Sequence, residues 1–367
     1  MNPHDSESFM FGPAVLRLRP HLVWSFALFS LVSVAPSLLL AQNYTLDLPE
    51  ASPHATVSQT IGLTTLSVDY HRPGVNGRVV WGGLEPYDVV WRAGANDNTV
   101  LTASSAFTVG GKTLPAGRYA LFMIPRREGN WTVILSNQPN AWGAFSYNQA
   151  EDAVRFDAAP KAVPLTERLR YGFGDPSSDA VTLAMHWDKV EIRFPITVNT
   201  NAIVIDSLRV QLRHYPRFYG PAWVQAATWV LANTQEVTLA EAWADTAIIR
   251  APTFASYNVK AWALDRQGKT AEADSLRQAH LSIATEAEMN AYGYQLVGLQ
   301  KNQEALAIFI RNTKEHPDSW NTWDSLGEMH ARLGDKSKAV ANYKKALALT
   351  NDPTQQTRIS GILAGMK

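Results

Sequence analysis

The sequence has 367 residues, of which 46% are hydrophobic and 18% are charged, and its 33 lysines and arginines balance 33 aspartates and glutamates. A neutral chain lacks the uniformly basic surface that non-specific nucleic-acid binding needs, and this apolar content excludes intrinsic disorder. The absence of cysteine excludes disulfides, thiol catalysis, cysteine-ligated zinc or iron–sulfur clusters and a lipid-modified cysteine. At about 150 residues per domain, the length predicts two domains.

Residues 1–41 have the pattern of a secretory signal peptide. Residues 22–41 carry no charged side chain, follow two arginines, and end at the junction Ala41-Gln42. We therefore expect cleavage after Ala41 and a mature protein that lies in the periplasm or outside the cell, with no remaining membrane span. Two alternatives stay open. Twenty apolar residues are long enough for an uncleaved membrane anchor, and Met10 could be the true start of translation.

Residues 42–200 have the periodicity of an all-β domain. Short runs of alternating apolar side chains between residues 56 and 198 are separated by turn signals such as Asn76-Gly77. The segment Asp88–Arg92 is one of the predicted strands. Many short strands joined by tight turns predict an antiparallel sandwich or barrel.

Several sequence elements follow one another in this half. They are Arg72-Pro73, Gly77-Arg78, Trp91-Arg92-Ala93-Gly94-Ala95-Asn96, Ala116-Gly117-Arg118-Tyr119 and Trp142-Gly143-Ala144. Together they resemble a secreted bacterial family, domain of unknown function 2911 (DUF2911), over about residues 52–198. The resemblance implies export and a second half made of helical repeats, and it implies no activity. His71 departs from the family pattern, which has serine before the Arg-Pro pair.

Residues from these elements form a hypothetical ligand site. They are Arg72, Arg78, Trp91, Arg92, Asn96 and Trp142. Arginines beside glycine-rich turns offer planar guanidinium donors to a carboxylate or phosphate, and tryptophans offer stacking surfaces to a sugar or an aromatic ring. In the alternative interpretation, the arginines bridge loops through carboxylates such as Glu85, and the tryptophans pack the core.

The sequence predicts no catalytic residue, metal site or cofactor. His54, His71 and His186 have no metal-ligand spacing. No G-x-S-x-G nucleophile motif precedes a helix. A carboxylate pair for glycoside hydrolysis stays open as an alternative, because the two groups of such a pair are close in space and not in sequence.

Residues 221–367 change to a composition rich in Ala, Leu, Glu, Gln and Lys with a period of 3.6, which predicts helices, and residues 201–220 are predicted to be a linker. A 34-residue repeat lies within this half. Its residues are Gly293, Ala305 and Phe309, which recur as Gly327, Ala339 and Tyr343, together with Trp323, Leu326 and Ala346. This spacing resembles the tetratricopeptide repeat (TPR), in which small and aromatic residues pack neighbouring helices. We expect about four helix hairpins and a capping helix near Thr354–Met366.

The sequence therefore predicts an exported protein with an all-β sandwich or barrel followed by an α-solenoid of TPR-like hairpins. The favoured function is a non-catalytic binding or assembly factor of the periplasm or cell envelope. In this hypothesis the β domain binds a small or glycan-like ligand, and the repeats bind a protein or peptide. One alternative is an envelope hydrolase that acts on carbohydrate or peptide through the β-domain loops. The other is a β domain that only caps the helical array.

Overall fold

The structure, a computed structural model, describes residues 48–366, so the predicted signal peptide lies outside the described residues. Within them, strands precede helices, which confirms the predicted fold class. The strands are β1 (His54–Ile61), β2 (Thr64–His71), β3 (Val100–Ala103), β4 (Phe107–Val109), β5 (Lys112–Leu114), β6 (Gly117–Ile124), β7 (Trp131–Ser136), β8 (Asp152–Ala158), β9 (Pro160–Gly174) and β10 (Ala180–Thr197). The helices are α1 (Thr200–Gln211), α2 (Gly220–Asn233), α3 (Val237–Arg250), α4 (Phe254–Arg266), α5 (Thr270–His280), α6 (Glu286–Gly298), α7 (Asn302–Glu315), α8 (Trp320–Arg332), α9 (Lys336–Leu349) and α10 (Pro353–Gly365).

The strands form two antiparallel sheets. The first has the order β1-β2-β3-β6-β7-β8, and the second has the order β5-β4-β10-β9. Turn residues set the register. Gly110 and Gly111 both have positive φ, and they join β4 to β5 in a two-residue turn that pairs Val109 with Lys112. The pair Gly62 and Leu63 likewise closes the β1–β2 hairpin, in which His54 lies opposite His71.

The core of the β half lies between the two sheets. Leu66, Leu121 and Val133 from the first sheet meet Leu183 and Ile196 from the second, and all five side chains are fully buried. Alternate residues of the inner strands supply this core, as expected for sheets with one buried face. The opposite face of the six-stranded sheet, which we call the outer face, carries the exposed Asp69 between the buried Val68 and Tyr70.

The connection between β2 and β3, residues 72–99, departs from the prediction. The predicted strand Asp88–Arg92 is wrong, because only Trp91 pairs with a strand, through two backbone hydrogen bonds to Met123 of 2.8 and 2.9 Å. Pro86 precedes this segment, and Asp88 and Ala93 have positive φ, which a continuous strand cannot contain. The connection is therefore an irregular segment that lies against the sheets.

The helices form four consecutive antiparallel hairpins, α2–α3, α4–α5, α6–α7 and α8–α9, and α10 packs on α9. First helices of successive hairpins also touch, α2 with α4, α4 with α6 and α6 with α8, as in a stacked repeat array. Side-chain caps mark several starts, among them the reciprocal pair Thr285 and Glu288 at α6. Among the described residues, no helix is long and apolar enough to cross a membrane.

The segment predicted as a linker, residues 201–220, is largely helical, and this prediction is corrected. Helix α1 begins after Asn199, whose side chain accepts a hydrogen bond of 3.1 Å from the Ala202 backbone. Ile205 is buried against the first hairpin, and Ile203 packs against the core of the β half. The exposed polar residues of α1 hide this short apolar stripe in the sequence pattern.

Candidate functional site

Two of the arginines predicted to bind a ligand hold the irregular segment 72–99 in place. Arg72 donates from Nε to the backbone oxygen of Leu169 on β9 at 3.0 Å. Arg78 donates from Nε to the Val75 oxygen at 3.1 Å and from Nη2 to the Gly74 oxygen at 2.6 Å. These contacts satisfy backbone carbonyls of a segment that has few ladder partners.

The remaining predicted residues do not converge on one point. Trp91 is buried, donates from Nε1 to the Gly94 oxygen at 3.1 Å and stacks on Trp187. Asn96 donates to the Glu50 carboxylate at 2.8 Å. Only Arg92 and Trp142 meet, with the guanidinium 5.7 Å from the centroid of the indole. The structure therefore places a tryptophan core and loop-bridging contacts where the sequence suggested a cluster.

Trp142 forms part of an exposed aromatic ledge. Its ring stacks on that of Phe145 with an interplanar angle of 13° and centroids 5.7 Å apart. Trp142 is 60% exposed and Phe145 is 84% exposed. The ledge follows Ala141 directly, and a backbone bridge joins Trp142 to Asp97. The rings are therefore nearly parallel and stacked, and the parts of them that the stack leaves exposed offer an apolar surface to a ligand.

A cavity of about 280 Å³, the edge cavity, opens on the outer face of the six-stranded sheet beside this ledge. Its charged and amide side chains come from β1, β2, β6, the end of the segment 72–99 and the β7–β8 connection. These residues are His54, Asp69, His71, Asp97, Asn98, Arg118 and Asn140. The register brings them together, since His54 is opposite His71 in the β1–β2 hairpin.

Two imidazole–carboxylate pairs lie at the edge cavity. His54 Nε2 contacts the Asp69 carboxylate, and His71 Nε2 lies 3.0 Å from the Glu50 carboxylate. The two imidazole rings meet edge to face with their centroids 5.2 Å apart. Arg118 adds a cation at the rim, and its Nη1 donates to the Asn140 side chain at 3.2 Å. The cavity thus combines several hydrogen-bond acceptors with a few donors.

Two side chains of the edge cavity have buried polar atoms without a protein partner. Asn98 is 5% exposed, and neither its Oδ1 nor its Nδ2 is hydrogen-bonded. His71 is 8% exposed, and its Nδ1 has no partner. Buried polar atoms are almost always paired in folded proteins, by protein groups or by ordered water, so these atoms make the cavity wall a candidate binding surface.

The edge cavity is not predictable from local sequence motifs, because its residues are far apart in the chain. One signal could have revealed it. A turn placed at Gly62-Leu63, where the alternation of apolar residues breaks, sets His54 opposite His71. The contribution of Asn98 had no such signal, because it depends on the path of the irregular segment. No group of three or more His, Asp or Glu side chains within residues 48–366 is placed to hold a metal ion.

A second candidate site, the repeat groove, lies on the surface shared by α2, α4 and α6 and encloses about 280 Å³. Val224, Phe254 and Trp262 give it an apolar floor. Asn258 and Gln295 bring side-chain amides to it, joined by a hydrogen bond of 2.7 Å. Arg277, buried behind the groove, donates from Nε to Asn258 Oδ1 at 3.0 Å and so fixes the orientation of that amide.

The predicted repeat residues lie between the helices. Ala305, Ala339 and Ala346 are fully buried, as are Phe309 and Tyr343 apart from a few per cent of their surface. A Cβ at Gly293 would lie 2.5 Å from the Phe309 ring, and one at Gly327 would lie 3.1 Å from the Tyr343 ring.

Two further residues of the repeat pattern, both on α8, pack in the last hairpin, α8–α9. Leu326 is buried with the core of the third and fourth hairpins. Trp323 donates from Nε1 to the Pro317 oxygen at 2.8 Å, and the Lys345 ammonium lies 5.9 Å from its ring centroid. The indole therefore joins the start of α8 to α9.

Comparisons with known proteins agree with both predicted resemblances. Residues 52–196 match the family model described as a protein of unknown function (DUF2911), and residues 322–357 match a tetratricopeptide repeat model. The predicted resemblances are therefore confirmed for these two parts of the chain. No curated protein matches the sequence at a significant level.

Solved structures similar to this chain include several TPR proteins, all at low identity. One comes from a functional characterisation of Pseudomonas aeruginosa pilF, with 17% identity over 40% of this chain and 68% of that chain and a TM-score of 0.29. YrrB, described as a TPR protein with an unusual peptide-binding site, has 15% identity over 45% of this chain and 90% of that chain, with a TM-score of 0.28. A thermophilic TPR protein of Thermus thermophilus has 18% identity over 45% of this chain and 91% of that chain, with a TM-score of 0.30.

Proposed function

We propose that this protein is an exported binding and assembly factor of the periplasm or cell envelope. In this proposal the helical repeats hold an extended segment of a partner protein, and the β half carries a site for a small ligand. The sequence of residues 1–41, with its apolar run before Ala41-Gln42, supports export. The TPR match supports a protein partner, because such arrays present a long surface to bound segments.

The repeat groove is the observation that carries the proposal. An extended peptide has alternating side chains and, at each residue, one backbone donor and one acceptor. The apolar floor made by Val224, Phe254 and Trp262 suits the side chains of such a segment, and the amides of Asn258 and Gln295 suit its backbone. Because Arg277 holds Asn258 in one orientation, little side-chain entropy is lost on binding.

Site-directed photocrosslinking in the native envelope tests this proposal. A photoreactive residue in place of Ala291, which is exposed and lines the groove, should give a discrete crosslinked partner. The same residue in place of Lys344, exposed on α9 and outside the groove, is the control and should give none. Asn258→Ala should weaken the Ala291 crosslink about fivefold, since it removes one peptide hydrogen bond of about 1 kcal/mol. Equal crosslinking from both positions would contradict the proposal.

A hydrolase is the second candidate, and the two imidazole–carboxylate pairs of the edge cavity favour it. An imidazole held by a carboxylate is a common general acid or base, and His71 is held by Glu50 at 3.0 Å. Incubation with envelope glycan or peptide fragments separates the candidates. A hydrolase releases products, and His71→Gln abolishes their release, whereas a binding factor releases none at any enzyme concentration.

A further inference from the structure

We infer that the edge cavity binds a small polyhydroxylated molecule, that is, a saccharide unit or a related polyol. The inference rests on the proposed function, in which the β half is the part that binds a small ligand, and it names the site and the chemical class. This site is not the predicted cluster of Arg72, Arg78 and Arg92. In that cluster, Arg72 and Arg78 donate hydrogen bonds to backbone carbonyls.

Asn98 places a buried amide without a hydrogen-bond partner at the edge cavity. The side chain lines the cavity at 5% exposure, and both of its amide atoms lack a protein hydrogen bond. Leaving a buried polar group unsatisfied is unfavourable, so pairing of this amide with a ligand that both donates and accepts would be stabilising. A hydroxyl group has that property, and an adjacent pair of hydroxyls can engage Oδ1 and Nδ2 together. The unpartnered Nδ1 of His71 adds a third position of the same kind.

The charges of the cavity select against anionic ligands. The carboxylates of Asp69 and Asp97 line it, and a third carboxylate, that of Glu50, pairs with His71, whereas Arg118 is the arginine that lines it. A phosphate or carboxylate would meet this excess of negative groups and be repelled. Neutral hydroxyls instead donate to the carboxylates, in charge-assisted hydrogen bonds stronger than those between neutral groups.

The aromatic ledge adds an apolar surface beside the polar cavity. Trp142 and Phe145 stack on each other and are exposed beside Ala141, which lines the cavity. A sugar ring has an apolar face of C–H groups and an edge of hydroxyls. The ledge suits the apolar face of a second ring, while the cavity takes the hydroxyls of the first. We therefore expect oligosaccharides that reach the ledge to bind more tightly than single sugars.

Calorimetric titration of the chain from residue 42 onward tests the inference. The probes are glucose, N-acetylglucosamine, chitobiose and myo-inositol, with inorganic phosphate and Zn²⁺ as probes of other classes. We expect at least one hydroxylated probe to bind and the other two classes not to bind. Asn98→Ala, which removes a ligand hydrogen bond, and Asp97→Asn, which removes the charge that strengthens one, should each weaken that binding about tenfold. Asn130→Ala, in the exposed β6–β7 turn at the opposite ends of these strands from the lining residues Arg118 and Pro139, is the control and should leave affinity unchanged.

Because both variants should stay as stable as the unchanged protein, a loss of binding reports on the site and not on folding. Asn98→Ala removes an amide that makes no protein hydrogen bond, and Asp97 is exposed, so both should unfold at the temperature of the unchanged protein. Binding of phosphate or Zn²⁺ alone, binding of no probe, or binding that survives both substitutions would overturn the inference. Photocrosslinking from Ala291 in the Asp97→Asn protein should be unchanged, so loss of saccharide binding and loss of the protein partner are separate results.

Discussion

Glu85 lies in the irregular segment 72–99, near Arg92 and Arg78, and its environment makes stability depend on pH. Burial raises the pKa of Glu85 from 4.5 to about 7, although the charges of the two arginines and a hydrogen bond with Trp91 act in the opposite direction. Between pH 4.5 and 7 the folded protein therefore holds a proton on Glu85 that the unfolded chain has lost. The free energy of unfolding then decreases as the pH rises through this interval.

Glu85→Gln should remove this pH dependence. We expect the variant to be more stable than the unchanged protein by about 2 kcal/mol at pH 8, allowing for partial solvent exposure, and of equal stability near pH 4. Urea unfolding at the two pH values measures both differences. Glu128→Gln, an exposed glutamate in the β6–β7 turn, is the matched control and should follow the unchanged protein. A pH dependence that persists in Glu85→Gln would assign it to other groups.

Residue roles were predictable only where the pattern along the chain determines them. The sequence pattern fits the tryptophans of the β half either as stacking surfaces for a ligand or as core residues. In the structure, Trp91 is buried and Trp142 is exposed. Which one faces solvent depends on the paths of the irregular segment and of the β7–β8 connection, and no periodicity encodes those paths. Asn98 and His71 have buried unpartnered atoms for the same reason, since burial and hydrogen bonding are tertiary properties.

At the level of elements, the repeated glycines of α6 and α8 give an internal comparison. The 34-residue repeat places Gly293 against Phe309 and Gly327 against Tyr343, yet the contacts differ in tightness. A methyl group at Gly293 would lie 2.5 Å from a fully buried ring, a distance that forces the helices apart. At Gly327 the corresponding distance is 3.1 Å, which a small shift of the tyrosine ring relieves.

Alanine at the two positions should therefore have unequal effects. Gly293→Ala should destabilise the protein by about 1 to 3 kcal/mol through overpacking. Gly327→Ala should change stability by less than about 1 kcal/mol, because better helix propensity offsets the tighter contact. Thermal and urea unfolding, followed by the helical signal in circular dichroism, compare the two. Equal destabilisation would show that the approach of α6 to α7 is no closer than that of α8 to α9.

The elements themselves were largely predictable, because periods of 2 and 3.6 survive in single sequences. The turn at Gly110-Gly111 and the helices of the 34-residue repeat lie where their signals place them. The predictions fail where an element is short or partnered unusually. The pattern of residues 201–220 predicts a linker and that of Asp88–Arg92 predicts a strand, because neither segment has enough periodic residues to show its true conformation.

At the scale of the whole molecule, α1 joins the two halves. Ile203 packs against the core of the β half, and Ile205, two residues later, is buried in the core of the first hairpin. Thr200 donates to the Ser178 oxygen at 2.8 Å on one side, and Asn201 donates to the Asn233 oxygen at 2.8 Å on the other. One helix therefore anchors in both cores, so we expect the halves to unfold in one cooperative transition.

Breaking α1 between its two anchors tests this coupling. Val204→Pro removes a backbone donor and places a ring against the carbonyl four residues earlier, at a cost of about 3 kcal/mol or more, whereas Val204→Ala keeps the helix and is the control. We expect calorimetry to show one transition for the unchanged protein and for Val204→Ala, and two for Val204→Pro. Trypsin should cut the proline variant after Arg209, which is exposed on α1. A single transition in Val204→Pro would mean that contacts outside α1 couple the halves. In that case a ligand in the edge cavity could still stabilise the repeats, through those contacts and not through the helix.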